Sequence, residues 1–497
     1  MTAISAQLPA LQVVLPLLGA VLAALMRRGT PAFALTLAIS WTLPFISGAL
    51  LYQTLTGDPI SYRLGGWEPP FGIEYRVDVL NAFVLMLVSS VGAVILPFAH
   101  RSVASEIDED KHAWFYCMYL LCLAGLLGIA ITGDAFNAFV FLEISSLATY
   151  VLIALGRDRR ALLSAFQYLI VGTIGATLYV LGVGLIYLVT GTLNMHDLST
   201  RLVEAYAVYP QPVLAGLAFI VVGVGLKLAL FPMHVWLPNA YAYAPSVVSA
   251  FLAATATKVA VYLLIRFSFG VFGKAVAFPT LTVTDLIVGL SIAAMFVGAA
   301  AAVYQTDLKR MLAYSSVSQI GYITLGVGLA NQAGLTGGIV HLANHAIMKA
   351  ALFLALGAAV YRIGTCKLND LSGIGRRMPL TMTAFAIAGF GLIGTPGTAG
   401  FISKWYLALG SLEVGGWPLL LAIVASSMIA VVYVGRVVEV MWFREESPHV
   451  KGASEAPLAM LLPILVLAAA TVYFGFDTRA TAGIATRAAE MLIGGLR

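Results

Sequence analysis

Apolar runs about as long as a membrane-crossing helix recur along almost the whole chain, broken only by short polar or Gly/Pro-rich turns. Such a helix needs roughly 20 predominantly apolar residues. The runs predict spans near 8–26, 31–55, 78–99, 113–131, 135–155, 162–190, 212–236, 246–268, 283–303, 312–330, 334–361, 380–408, 416–443 and 457–476. Composition agrees: 497 residues are 60% apolar and 10% charged, with a mean hydropathy of +0.94, whereas roughly a quarter of the residues in a soluble domain are charged. A soluble multidomain enzyme is excluded. The expected fold is an all-α polytopic membrane protein of about fourteen transmembrane helices, and the polar stretches at 56–77, 100–112, 191–211 and 444–456 are too short for a separate soluble domain.

The formal charge of +5 gives no reason to expect a nucleic-acid partner, because Lys and Arg in a membrane chain mostly report orientation. Dealt to alternate sides of the spans, about fifteen flank one face and about eight the other, which marks the first face as cytoplasmic. Both termini then lie on the outer side of a cell's inner (plasma) membrane. Cys117, Cys122 and Cys366 have neither CxxC spacing nor a disulfide framework, so no cofactor and no metal is expected. GFGLIG at 389–394 lies in an apolar run without a preceding strand, which removes the nucleotide reading of its glycines.

Charged residues inside spans constrain the chain most. A Lys, Arg or Asp facing lipid at a helix centre costs roughly 2.5–3.5 kcal/mol, so such residues must face protein or water. Glu143 falls near the middle of its span, and Lys258 lies roughly 20 Å along its helix from Pro245 at 1.5 Å per residue. His341, His345 and Lys349 follow at i, i+4 and i+8, one face of a helix, with Asn344 alongside. That stripe suits a proton relay, since imidazole titrates near neutrality; a metal pair lacks a third ligand. Lys349 also has room to act as a helix-end anchor, as does Arg436. Lys227 precedes Pro232 and Pro238, and Lys404 follows Gly394, Pro396, Gly397 and Gly400. Broken helices in a membrane are tolerated where they are buried or line a polar cavity, and paired breaks point to an ion site.

The segments GVGLKLALFPMHVWLPNAYAYAPSVVSAFLAATATKVAVYLLIR, TDLKRMLAYSSVSQIGY, HLANHAIMKAALFLALG and PGTAGFISKW resemble the proton-translocating, antiporter-like subunits of complex I, membrane-bound hydrogenases and Mrp-type cation/proton antiporters. The resemblance covers nearly the whole chain and implies two inverted five-helix repeats with two discontinuous helices. The implied organisation is a three-span segment at 1–112, a first repeat at 113–270, a second at 271–443, and a last span and tail at 444–497. By motif, Glu143, Lys227 and Lys258 resemble the family's first half-channel, His341 and His345 its central histidines, and Lys404 the lysine of the second broken span. Asp307 is read as structural, and Asp134 stays outside the pathway.

Within the family, a lysine at 404 departs from the glutamate of the M-type complex I chain, and the short tail departs from the extended L-type and Mrp A-type chains. The loop YRLGGWEPPFGIEYRVDVLNAF and the segment TGDAFNAFVFLEISSLATY resemble the D-type chain of Mrp antiporters, with the N-type complex I chain next. The resemblance implies a non-enzymatic ion-transporter subunit that moves H+ against Na+, with other membrane subunits and the lipid bilayer as partners.

Overall fold

The computed structural model describes residues 5–278 and 281–494. Helices α1 (Leu8–Leu25), α2 (Gly29–Thr56) and α3 (Val79–Glu106) form the first segment, with a two-stranded antiparallel hairpin, β1 (Ile60–Arg63) and β2 (Glu74–Val77), between α2 and α3. The next group comprises α4 (His112–Ile131), α5 (Ala135–Ala154), α6 (Arg159–Thr190), α7 (Met195–Val208), α8 (Pro210–Leu228), α9 (Leu237–Tyr243), α10 (Ser246–Ala254) and α11 (Ala256–Ile265). After a π-helical turn at Arg266–Val271 and the short α12 (Gly273–Ala277) come α13 (Leu281–Val303), α14 (Leu308–Gly328), α15 (Gln332–Ile363), α16 (Pro379–Ile393), α17 (Ala399–Glu413) and α18 (Trp417–Phe443). Helices α19 (Leu458–Phe476) and α20 (Ile484–Ile493) complete the chain.

Twelve helices among the described residues are long and apolar enough to cross a membrane, against the fourteen expected. The two expected spans that fall short do so for physical reasons. Helix α14 has 21 residues but carries Lys309, Arg310 and a serine-rich stretch. The span expected over 380–408 is two short helices, α16 and α17, joined by an irregular turn.

The polar stretches hold more structure than their composition suggests. The segment at 56–77 closes as the hairpin, with Tyr62 opposite Tyr75. The 191–211 stretch contains α7, whose first turn is capped by the Asn194 side chain accepting from the backbone of His196 and Asp197. The irregular 444–456 stretch is tied back by Arg377, which donates to Glu446 and holds that carboxyl below its usual range.

Two bridges reveal internal symmetry. Asp134 caps α5 and pairs with Asn194 after α6; Asp307 caps α14 and pairs with Lys367 after α15. Both members of the second pair lie 173 positions beyond those of the first (134 and 194 against 307 and 367). The helices between are matched, 20 and 32 residues in one half and 21 and 32 in the other. Their directions are opposed: α5 starts beside the hairpin, where Gly133 donates to Glu74, while Gly156 just beyond its end lines a cavity with Asp307 at the start of α14. The molecule therefore has a hairpin face and an opposite face, and the second face carries Arg157, Arg160, Lys309 and Lys367 around that cavity.

Candidate functional site

Between the two faces, buried polar groups form a row across both halves. Glu143 sits in mid-α5, and its carboxylate lies 3.9 Å from the ammonium of Lys227 in the last turn of α8. Ser146 and Tyr150, three and seven residues beyond Glu143, share its face of α5 and accept from Lys227 at 2.6 and 3.4 Å. Helix α8 stops because Ala229 adopts a left-handed conformation at φ 61°. The break is held by the Trp236 indole, which donates to Leu226 O at 2.9 Å and stacks on Tyr168 at 3.8 Å.

A cavity of about 20 Å³ separates Lys227 from α11, lined by Ser146, Thr149, Tyr168, Ala256 and Ala260. It has room for about one water molecule. Beyond it the expected eighth span is broken as well, at Thr255 (φ −122°, ψ −56°), a discontinuity the sequence did not signal. Lys258 turns back across that break and donates to Ala253 O, at the carboxyl end of α10, and to Thr257 Oγ1 at 3.3 Å.

Helix α15 carries the stripe read from spacing, and His341, His345 and Lys349 are all completely buried. The imidazoles lie 5.9 Å apart and nearly parallel, at 7°. His341 hydrogen-bonds Ser403 through Nδ1 (2.8 Å) and Gln319 through Nε2 (2.9 Å). His345 has no protein partner at either ring nitrogen among the described residues. Lys349 is held from the side by Leu312 O at 2.7 Å and by Ser315 of α14. The helix-end anchor reading therefore fails for Lys349 and fits Arg436, which is exposed and donates to Val303 O.

On the far side, Lys404 of α17 donates to the last carbonyls of α16, Leu392 O (3.0 Å) and Ile393 O (2.8 Å), and to Ser427 Oγ (2.8 Å). Its ammonium lies 4.5 Å above the ring of Tyr322, whose centroid is 5.6 Å from that of His341. Gly400 makes this crossing possible, since a Cβ there would strike Gly391 O.

Lys258 and Lys404 thus each rest against the carboxyl end of a half-helix, where backbone carbonyls lack intrahelical partners. No direct bond joins Lys227 to Lys258, or Lys258 to His345, among the described residues, so the row is a set of stations rather than a continuous wire. Ser146, Tyr150, Gln319, Tyr322, Ser403 and Ser427 belong to it as neutral partners that charge-counting alone missed. For Gln319 and Tyr322 the signal lay in the polar stripe of YSSVSQIGY, where Ser315, Gln319 and Tyr322 step by four and three residues; the other four carried none. Asp134 and Asp307 stand outside the row as helix caps, accepting from Asn137 N and Arg310 N.

Residues 132–430 match the family model described as NADH:quinone oxidoreductase/Mrp antiporter, TM. This region takes in every station of the row. The chain belongs to this family. Among its relatives, the N-type chain of an NADH-quinone oxidoreductase from Desulforudis audaxviator is 42% identical over 95% of this chain and 96% of its own length. The D-type chain of a Na(+)/H(+) antiporter from Alkalihalophilus pseudofirmus is 34% identical over 83% of this chain and 82% of its own. A solved chain of the Mrp complex from Dietzia sp. DQ12-45-1b superposes with a TM-score of 0.89 at 27% identity, covering 99% of this chain and 98% of the other. The resemblance read from the motifs is thus established at the level of the antiporter-like family, whose members here bear both names.

Proposed function

We propose that the chain is the proton-translocating subunit of a multisubunit monovalent cation (Na+)/proton antiporter, similar to the D-type chain of Mrp complexes, set in the inner membrane with its basic face towards the cytoplasm. The observation that carries the translocation is the buried row of four lysines and two histidines with a single carboxylate, Glu143, at one end. Burial penalises a charge and an opposite charge compensates for it, so movement of Glu143 away from Lys227 expels a proton towards Lys258. It passes through His345 and His341 to Lys404, with water bridging the gaps. Lys349, held against α14, sets the field at the centre of the row. The lysine at 404 counts against the M-type branch, and the loop carrying the hairpin, with the segment TGDAFNAFVFLEISSLATY, resembles the D-type chain.

A second reading, a proton-pumping subunit of a complex I-type or hydrogenase-like assembly, is favoured by the 42% identity to the N-type relative. Purification of the native complex in mild detergent, with the co-purifying chains identified by mass spectrometry, separates the two. Small hydrophobic partners alone support the antiporter; flavin, Fe–S or NiFe subunits support the redox-driven pump. Proton flux in vesicles then tests the row itself. Glu143→Gln and Lys227→Ala are expected to abolish transport in a complex that still assembles, and full activity in either variant overturns the pathway.

A further inference from the structure

Two apolar cavities lie end to end on the flank of the molecule, between α2 and α19 and over α3. One, of about 340 Å³, is lined by Trp41, Phe45, Pro97 and Leu462; the other, of about 310 Å³, by Leu51, Phe83, Leu87 and Phe474. Val94 and Val466 line both, so the two form one groove along the membrane normal. Prolines from three helices, Pro44, Pro97 and Pro463, line its first cavity. Proline lacks an N–H and frees the carbonyl one turn back; the carbonyl released by Pro97, that of Ala93, accepts from the Trp41 indole at 3.0 Å. The groove is therefore a finished surface with its floor pinned.

The α3 residues that form the floor, Phe83, Leu87, Ser90, Val94 and Pro97, step by four and three, and the next position on the same stripe is Arg101. Arg101 lies one turn from the end of α3 on the basic face, is exposed, and has no carboxylate partner among the described residues. An apolar slot at membrane depth with a free guanidinium at its mouth complements an acyl chain under an anionic headgroup.

We propose that this groove is a binding site for one anionic phospholipid of the bilayer, its acyl chain laid over α3 from Pro97 towards Phe83 and its phosphate at Arg101. Lipid tails are as apolar as the groove wall, so retention comes from packing and headgroup charge rather than from escape from water. One basic residue near the surface adds about 1 kcal/mol of attraction for an anionic lipid, about fivefold in retention.

The test uses the full complex in nanodiscs containing phosphatidylglycerol with a diazirine in its acyl chain, with cross-linked peptides identified by mass spectrometry. Adducts are expected to concentrate on Trp41, Phe45, Val94 and Leu462, and Arg101→Gln to lower them about fivefold. Ala93→Phe, which fills the groove, should remove them while labelling of the outward α6 residues Phe166 and Ile174 is unchanged. Labelling spread evenly over all exposed apolar faces overturns the proposal, as does equal labelling by a phosphatidylcholine analogue or the absence of adducts on the groove residues while Phe166 and Ile174 are labelled.

Discussion

The two histidines on α15 are chemically alike and structurally opposite. His341 is held by Ser403 and Gln319, whereas His345, one turn on, stacks on His341 with neither nitrogen bonded to protein among the described residues. Removing a group that buried partners depend on leaves those partners unsatisfied, at about 1–3 kcal/mol each. His341→Ala is therefore expected to lower thermal stability visibly. His345→Ala breaks no protein hydrogen bond and should leave the melting transition closer to wild type while cutting proton flux. Parallel thermal unfolding and vesicle flux measurements check this; a larger stability loss for His345→Ala would contradict it. At this scale the sequence was informative about charge and poor about neutral partners. Lys227 and Lys404 stand out in an apolar span because a lysine there demands an explanation, but Ser403 beside Lys404 reads like any serine, and only the fold brings it to His341.

Helices with one strong periodic or apolar character were legible, and their breaks less so. The breaks after Lys227 and before Lys404 were visible in their prolines and glycines. The break at Thr255 carries no such residue, and nothing in ATATKV announces that α10 ends and α11 begins. Helix α7 and the hairpin were missed because they are short and polar, so that their order comes from Asn194 and the strand pairing rather than from an apolar run. Breaks set by crowding also respond to size. Gly400→Val would force α17 away from Gly391 and drag Lys404 from the carbonyls of Leu392 and Ile393, whereas Gly184, which has open space where a Cβ would go, should accept alanine. Loss of flux and of assembly in Gly400→Val, with a near-silent Gly184→Ala, is the expected pair of outcomes in a purified-complex yield and transport assay.

Across the whole molecule, the 173-residue offset makes orientation a joint property of two halves. The cap of α5 lies on the hairpin face and the cap of α14 on the basic face, so one labelling experiment fixes both. In a background lacking the three native cysteines, Asp58→Cys reports the hairpin face and Lys451→Cys the basic one. With the basic face cytoplasmic, an impermeant maleimide should label Asp58→Cys in right-side-out vesicles and Lys451→Cys in inverted ones; the reverse pattern overturns the orientation.

The same offset places Ser316 where Glu143 stands in the first half. A scaffold built twice, once upside down, would be expected to serve traffic equally from either end. Here the acid stands in one copy only, so the two ends of the row of bases are chemically different although the backbone that carries them is repeated.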